Sequence, residues 1–309
     1  MAELEPILRN LSLSGAVFLD GELAGDWAVC SRMTPSDFPG AIDPDGRMIS
    51  YHFIRQGPVR CRLASGGGEV ELQSGDLVVL TRNDPHVLAG GESVEPIDAR
   101  AAMGSPDADG IHRVSLPGDS RQSLYCGYLG GPDHPLIDSL PPMMVVRTQD
   151  HSEWVERSLK LIVEDLRRAA PALVAQMAAG IFVEAVRRFL EEHHEESEIV
   201  AALTDPVVRK ALAEIQDDPS REIPVTELAA LVGTSRSVLM QRFSKALGCG
   251  PTTYRNRLRL ALAAKQLREG ERRVSEIGFA AGYESEEGFS RAFKKQYDKA
   301  PAAYRKEAN

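Results

Sequence analysis

Two groups of side chains in this sequence have types and spacings that bear chemistry. One lies toward the C-terminus: Arg236, Ser237, Met240, Gln241, Arg242 and Lys245, then Ser285, Glu286, Glu287, Ser290, Arg291, Lys294 and Lys295. Guanidinium groups read guanine bidentately, amides suit adenine, carboxylates accept from cytosine, and ammonium groups meet phosphates. The other group is His52, His86 and Cys126. Imidazole and thiolate are ligands for zinc or a related metal, and they are equally the polar contacts of an otherwise apolar pocket. The four cysteines, Cys30, Cys61, Cys126 and Cys249, also admit a redox reading. A thiolate held at low pKa near an arginine senses oxidants, whereas a thiol buried in a strand is inert.

Charge separates these two groups. The 309 residues carry a formal net charge of −9, which would argue against a polyanionic partner if it were spread evenly. Residues 1–203 hold 17 basic and 31 acidic side chains, a balance of −14. Residues 204–309 hold 19 and 14, a balance of +5, and 236–306 alone hold 16 and 7, a balance of +9. An acidic module joined to one that meets a polyanion accounts for this asymmetry, as does a helical domain with a solvated basic face. Composition excludes other classes. At 43% hydrophobic and 26% charged the chain is not intrinsically disordered, and its length suits two domains. Its first residues lack the basic and apolar regions of a secretory signal, and no run approaches the ~20 apolar residues of a membrane span. The cysteines are too sparse for a disulfide scaffold. A soluble, cytoplasmic protein is expected.

Short strands separated by glycines fill the first 150 residues: around Ala16–Leu19, Trp27–Ser31, Met48–Ile54, Val59–Leu63, Glu69–Leu72, Leu77–Thr81 and Val87–Leu88. This spacing indicates an antiparallel sandwich or barrel. Ser93–Gly118 reads as a long loop or an interrupted edge. From Ser152 the period becomes helical. Val155, Leu159, Ile162 and Leu166 form one stripe, and Val174, Met177, Ile181, Ala185 and Phe189 form another within Pro171–Glu192. These helices pack on the barrel, on each other or across a dimer. The expected organisation is a sensor barrel over 1–150, a helical pair over 151–192, a linker over 193–204 that includes the polar run at 193–198, and a helical domain over 205–309. The fold class is α+β with two domains.

The helical domain repeats itself. Val225–Ala229 matches Val274–Gly278 at an offset of 49, as Gly233 matches Gly282. After one inserted residue, Leu239, Phe243, Lys245, Pro251, Tyr254 and Arg255 match Phe289, Phe293, Lys295, Pro301, Tyr304 and Arg305 at an offset of 50. Each copy has a small residue (Ala229, Gly278) that lets two helices approach. It continues with a glycine for a turn of positive φ, a serine N-cap (Ser235, Ser285) and a helix with apolar residues at i and i+4. That is a helix-turn-helix, and there are two. A helix from Pro251 to Arg268 would hold them so that both second helices enter successive major grooves, about 34 Å apart.

The stretch 274–305, with Gly282-Tyr283, the run Gly288 to Lys295, Pro301 and Tyr304-Arg305, closely resembles the C-terminal signature of the AraC/XylS family. The resemblance extends over about 205–306; Gly278-Phe279 and Asp298 depart from the common pattern without removing the helix-turn-helix geometry. It implies that Ser237, Met240 and Gln241 face base edges, with Arg236, Arg242 and Lys245 toward phosphates. In the second copy it implies Glu286, Glu287, Ser290 and Arg291 at the bases and Lys294 and Lys295 toward the backbone. Glu286 and Glu287 have a second reading as acids favoured by a helix N-terminus.

The segments from Gly46 to His52 and from Gly75 to His86 resemble the two cupin motifs, and Leu124–Tyr128, Pro135-Leu136 and Leu140-Pro141 continue the resemblance, which covers about 4–192. A metal-dependent cupin enzyme has a His-x-His pair and a glutamate in its first motif. Here Ile54 stands where the second histidine belongs, and the glutamate is missing. His52 and His86, completed by Cys126, His112 or Cys61, would form a metal site; alternatively they are hydrogen-bonded residues of the barrel, and no cofactor is expected. The resemblances imply a cytoplasmic, nucleoid-associated transcription regulator. It would bind double-stranded promoter DNA, respond to a small effector, form a homodimer and meet RNA polymerase if it activates, with no membrane partner. The alternatives are a cupin-type metalloenzyme with a helical appendage and a cysteine-based redox regulator.

Overall fold

The computed structural model describes residues 13, 15–42, 46–92, 94–108, 110–116, 121–131, 134–147, 153–165, 171–193, 202, 205–270 and 272–308. Leu166 of the first helical stripe and nearly all of the expected linker lie outside the described residues. Two compact units are present: Ser12–Gly131 with Pro141–Phe189, and Pro132–Leu140 with Leu190–Asn309.

The first unit holds eleven strands: β1 (Gly15–Ala24), β2 (Trp27–Ser31), β3 (Arg47–Gln56), β4 (Val59–Leu63), β5 (Val70–Leu72), β6 (Leu77–Leu80), β7 (His86–Gly90), β8 (Ile97–Asp98), β9 (His112–Leu116), β10 (Arg121–Gly131) and β11 (Met143–Val146). They form a six-stranded sheet, β11-β6-β3-β10-β1-β9, and a five-stranded sheet, β5-β4-β7-β2-β8. Pairing is antiparallel except at β1–β9 and β2–β8. The two sheets pack face to face. Leu23, Ile54, Val78, Leu80 and Leu124 of the first meet Trp27, Val59, Cys61, Leu72 and Leu88 of the second in one core. Each such side chain withdrawn from water contributes about 1.5–3 kcal/mol.

The six-stranded sheet is buried on its other side as well. Tyr51, Leu77, Val79 and Leu129 alternate with the inward residues and meet Leu159, Ile181 and Phe182 from the helices that follow β11. These are a short α-helix Glu153–Lys160, a π-type turn Leu161–Asp165 and a long helix Pro171–Glu192. The stretch read as a loop over 93–118 contains a short helix, Ala99–Ala102, and the edge strands of both sheets, β8 and β9. The interrupted-edge reading describes it and the loop reading does not. The side chains of β9 alternate only between half-buried and exposed, which leaves no strong strand signal in the sequence.

In the second unit a short helix Pro135–Ser139 accompanies Pro206–Asp217, Val225–Leu231, Arg236–Leu247, Pro251–Glu269, Val274–Ala280, Glu286–Tyr297 and Pro301–Ala308. Numbering every helix in chain order makes α1 Ala99–Ala102, α2 Pro135–Ser139, α3 Glu153–Lys160, α4 Pro171–Glu192 and α5 Pro206–Asp217. The two repeats are then α6 (Val225–Leu231) with α7 (Arg236–Leu247), and α9 (Val274–Ala280) with α10 (Glu286–Tyr297). The connector α8 (Pro251–Glu269) lies between them, and α11 (Pro301–Ala308) closes the chain. Asp205 caps α5, accepting from the backbone N–H groups of Val207 and Val208 at 2.8 and 3.3 Å.

Candidate functional site

Both repeats are built alike, atom for atom in several places. The turn of each contains its glycine at positive φ, +74° at Gly233 and +82° at Gly282, which a Cβ would strain. Ser235 Oγ accepts from the Val238 N–H at 3.3 Å, and Ser285 Oγ from the Gly288 N–H at 3.1 Å, so each serine caps its second helix. Close helix approach is real at Gly278, where a Cβ would sit 3.0 Å from the Phe289 ring. Phe243 meets Tyr254 edge-on at 5.7 Å, and Phe293 meets Tyr304 in the same way at 5.2 Å. These rings fix α7 on α8 and α10 on α11, leaving the opposite faces of α7 and α10 to solvent.

On those faces Arg236, Ser237, Gln241, Arg242 and Lys245 are exposed on α7, and Glu286, Glu287, Arg291, Lys294 and Lys295 on α10. Met240 and Ser290 are half-buried. The Met240 methyl lies 3.1 Å from where a Cβ on Gly250 would be, so its side chain leans toward the junction of α7 and α8. Arg242 is held by the Asp205 carboxylate at 3.0 Å, across an ion pair still half open to water. Ser285 serves as the helix cap, and Glu286 and Glu287 occupy the first turn of α10, where the helix dipole favours acids.

The charge count of this half overstates its surface. Arg255 and Arg259 on α8 are almost wholly buried. Arg255 donates to the Ile223 carbonyl at 3.0 Å and to Glu222 at 2.7 Å, and Arg259 donates to the Pro219 and Ser220 carbonyls. Both are structural clasps on the segment leading into α6. Arg257 pairs with Asp138 of α2.

In the sheet unit, His52 on β3 and His86 on β7 face each other from opposite sheets, Nε2 to Nε2 at 2.7 Å. The His86 Nδ1 lies 2.8 Å from the Asp84 carbonyl oxygen. A carbonyl only accepts, so His86 carries its proton on Nδ1 and has a bare Nε2. His52 therefore donates from Nε2. Burial pushes the pKa of both rings below the usual histidine value, more strongly for His52, which also feels His86, and both are neutral. Two ligands of one zinc at about 2.0–2.1 Å and a tetrahedral angle stand about 3.3 Å apart. The 2.7 Å contact is a hydrogen bond, and among the described residues no cluster of three or more His, Cys, Asp or Glu side chains could hold a metal. The residues present do not fit a cupin metal centre.

Cys126 is paired across the sheet with His52, and both line a cavity between the sheets. Mouth included, the cavity measures about 600 Å³. Its wall is mainly apolar: Leu19, Leu23, Val29, Leu88, Met103 and Leu124, with Trp27. Its polar members are His52, the Cys126 thiol and the hydrogen-bonded pair Ser31 and Tyr128, whose hydroxyls are 2.8 Å apart. Met103 carries no motif, and nothing in the sequence marks it or the expected strand Trp27–Ser31 as a neighbour of Tyr128, which ends the run Leu124–Tyr128. Burial pushes the Cys61 thiol up to about 12 and the Cys126 thiol higher still. That is the direction opposite to a reactive thiolate.

Residues 3–191 match the cupin family model, and residues 228–307 match the helix-turn-helix domain model. An AraC-like transcription regulator of Streptomyces lividans is 34% identical over 99% of this chain and 98% of its own length. A second AraC-like transcription regulator, from Streptomyces antibioticus, is 31% identical over 99% of both chains. The transcriptional regulator MtrA of Neisseria gonorrhoeae is 28% identical over 98% of each. With a cupin domain followed by a double helix-turn-helix, this chain belongs to the AraC-like transcription regulators and is a DNA-binding protein.

Proposed function

We propose that the chain binds promoter DNA through the exposed faces of α7 and α10 and that a small molecule in the inter-sheet cavity sets how much of the protein binds. The observation that carries the reading is the repeat itself. Two helices with matching caps, turns and aromatic anchors each expose polar and basic side chains at corresponding positions. Ser237 and Gln241 would meet base edges in one half-site and Arg291 with Ser290 in the other. Arg236, Arg242, Lys245, Lys294 and Lys295 would meet phosphates. Met240 would reach a base only after leaving Gly250, and Glu286 and Glu287 serve chiefly the helix start.

The cavity acts on DNA affinity only if its occupant binds differently to the DNA-competent and DNA-incompetent states. Regulation rather than catalysis is the role assigned to the sheet unit, because His52 and His86 are spent on each other and burial raises the Cys61 and Cys126 thiols away from the thiolate form. The functional boundaries are those of the sequence reading: sensor 1–150, helical pair 151–192, linker 193–204 and DNA-binding domain 205–309. Leu161 and Leu173, exposed on the helical pair, would support a homodimer. No helix among the described residues is long and apolar enough to cross a membrane. As a DNA-binding regulator the protein would act in the cytoplasm on the nucleoid and would meet RNA polymerase where it activates.

Genome-wide mapping of bound promoters supplies the duplex for the test. Affinity of the full chain for such a fragment is expected to fall steeply with salt and to be lost in the double variant Arg291→Glu, Lys295→Glu. Unchanged affinity in that variant overturns the assignment of α10. Sedimentation of the full chain tests the dimer, and a monomer at high concentration removes it.

A further inference from the structure

Among the described residues of the cavity wall, His52 holds the buried acceptor that its neighbours leave unmet. Its Nε2–H is committed to His86, whose own Nδ1–H is committed to the Asp84 carbonyl. The chain of donors runs one way and ends at His52 Nδ1, a bare lone pair. That atom is buried, and no described residue donates to it. Reversing the tautomers would place the bare His86 Nδ1 against a carbonyl oxygen at 2.8 Å, two acceptors face to face. A buried acceptor without a donor is costly, so the cavity favours whatever brings one.

The remaining wall limits what that molecule is. Among the described residues no Lys, Arg, Asp or Glu lines the cavity. A carboxylate, phosphate or ammonium group would enter without a counter-charge and would lose its hydration. The Ser31 and Tyr128 hydroxyls share one hydrogen bond, which leaves one of their two O–H groups to donate to an acceptor such as the ligand's own oxygen, and the rest of the surface is aliphatic, aromatic or thiol. Resting on the cavity being the effector site, we propose that its ligand is an uncharged, largely apolar molecule that donates one hydrogen bond to His52 Nδ1: an alcohol, a phenol or an N–H heterocycle. His52 then discriminates by donor, and the apolar wall supplies affinity without direction.

Three probes of one chain length isolate the two claims: octan-1-ol, methyl octyl ether and octanoate, titrated calorimetrically into the full-length protein. The alcohol is expected to bind about tenfold more tightly than the ether, which cannot donate, and than the anion. In His52→Leu this advantage is expected to vanish while the ether keeps its affinity within about twofold. Equal binding of alcohol and ether, or tighter binding of octanoate, overturns the ligand class and leaves the effector cavity standing. Binding of none of the three overturns both. Nitrogen-15 spectra of the wild-type imidazoles give an answer independent of the variant's folding. His52 Nδ1 is expected at a pyridine-type shift that moves on adding octan-1-ol, and a proton found on that nitrogen overturns the proposal.

Discussion

Arg255 reaches from α8 to the carbonyl of Ile223, two residues before α6 begins, at 3.0 Å; Arg305 reaches from α11 to the carbonyl of Arg272, two residues before α9, at 2.5 Å. The repeat thus extends to a hydrogen bond between a helix and the backbone that feeds its helix-turn-helix. Arg255 is a clasp rather than a DNA contact. Its replacement in Arg255→Met leaves the Ile223 carbonyl without its donor and removes the nearer partner of the exposed Glu222, and is expected to cost about 1–3 kcal/mol. Arg305 is less buried, and Arg305→Met is expected to cost about 1 kcal/mol. Urea unfolding of the helical unit measures both. The salt dependence of DNA binding by the folded fraction is expected to be unchanged.

The two turn glycines separate backbone strain from crowding. Both have positive φ, so alanine at either incurs the left-handed penalty of about 1 kcal/mol. A Cβ on Gly233 meets open space, whereas one on Gly282 would stand 2.4 Å from the Ser220 carbonyl oxygen. Gly282→Ala is expected to destabilise by at least about 1 kcal/mol more than Gly233→Ala, because backbone must move to admit the methyl. Denaturant midpoints of the two variants provide the comparison, and equal values would mean that the Ser220 segment yields freely.

What could be read from sequence follows from the range of the interactions involved. Gly233 with Gly282, Phe243 with Phe293 and Ser235 with Ser285 repeat chemistry needed locally, for a turn, an anchor and a cap, so alignment of the chain with itself exposed them. Strands such as Trp27–Ser31 and Val59–Leu63 were legible because both are bounded by turns and rich in β-formers. Met103 and Val114 of the cavity wall were not, because they reach it through α1 and the edge strand β9, whose partner β1 lies some ninety residues away. Charge counting could not distinguish a solvated arginine from Arg255 or Arg259, whose acceptors include backbone carbonyls. Likewise His52 and His86 stood out as a pair of donors, but their tautomers depend on Asp84 and on the facing of two sheets.

Lys295 and Ser285 should differ in kind, although they share a helix. Lys295 is exposed near the end of α10 and is assigned to a phosphate. Lys295→Gln is expected to lower the slope of log affinity against log salt by about 0.9 and to weaken all sequences alike. Ser285→Ala removes the cap on the Gly288 N–H and is expected to cost about 1 kcal/mol of stability, with the slope retained. Anisotropy titrations at several salt concentrations, beside thermal unfolding, separate the two.

The histidine pair makes the sheet unit sensitive to mild acid. In the folded state burial holds both pKa values below the ordinary histidine range, so the rings stay neutral where the unfolded chain's histidines, near 6.5, have begun to bind protons. The unfolded state then takes up more protons, and stability must rise with pH across that interval. The contribution is full above about pH 7 and is lost as pH falls from about 6.5 toward 5, before most carboxylates titrate. Loss of stability over this window is expected in the wild-type chain, read as the urea midpoint of the sheet unit. The double variant His52→Phe, His86→Phe is expected to flatten the profile while lowering neutral-pH stability, since the Asp84 carbonyl loses its donor. A wild-type midpoint that stays level between pH 7 and 5 would show that these rings take up protons in the folded state as readily as in the unfolded chain, and the donor order from Asp84 to His52 would have to be abandoned.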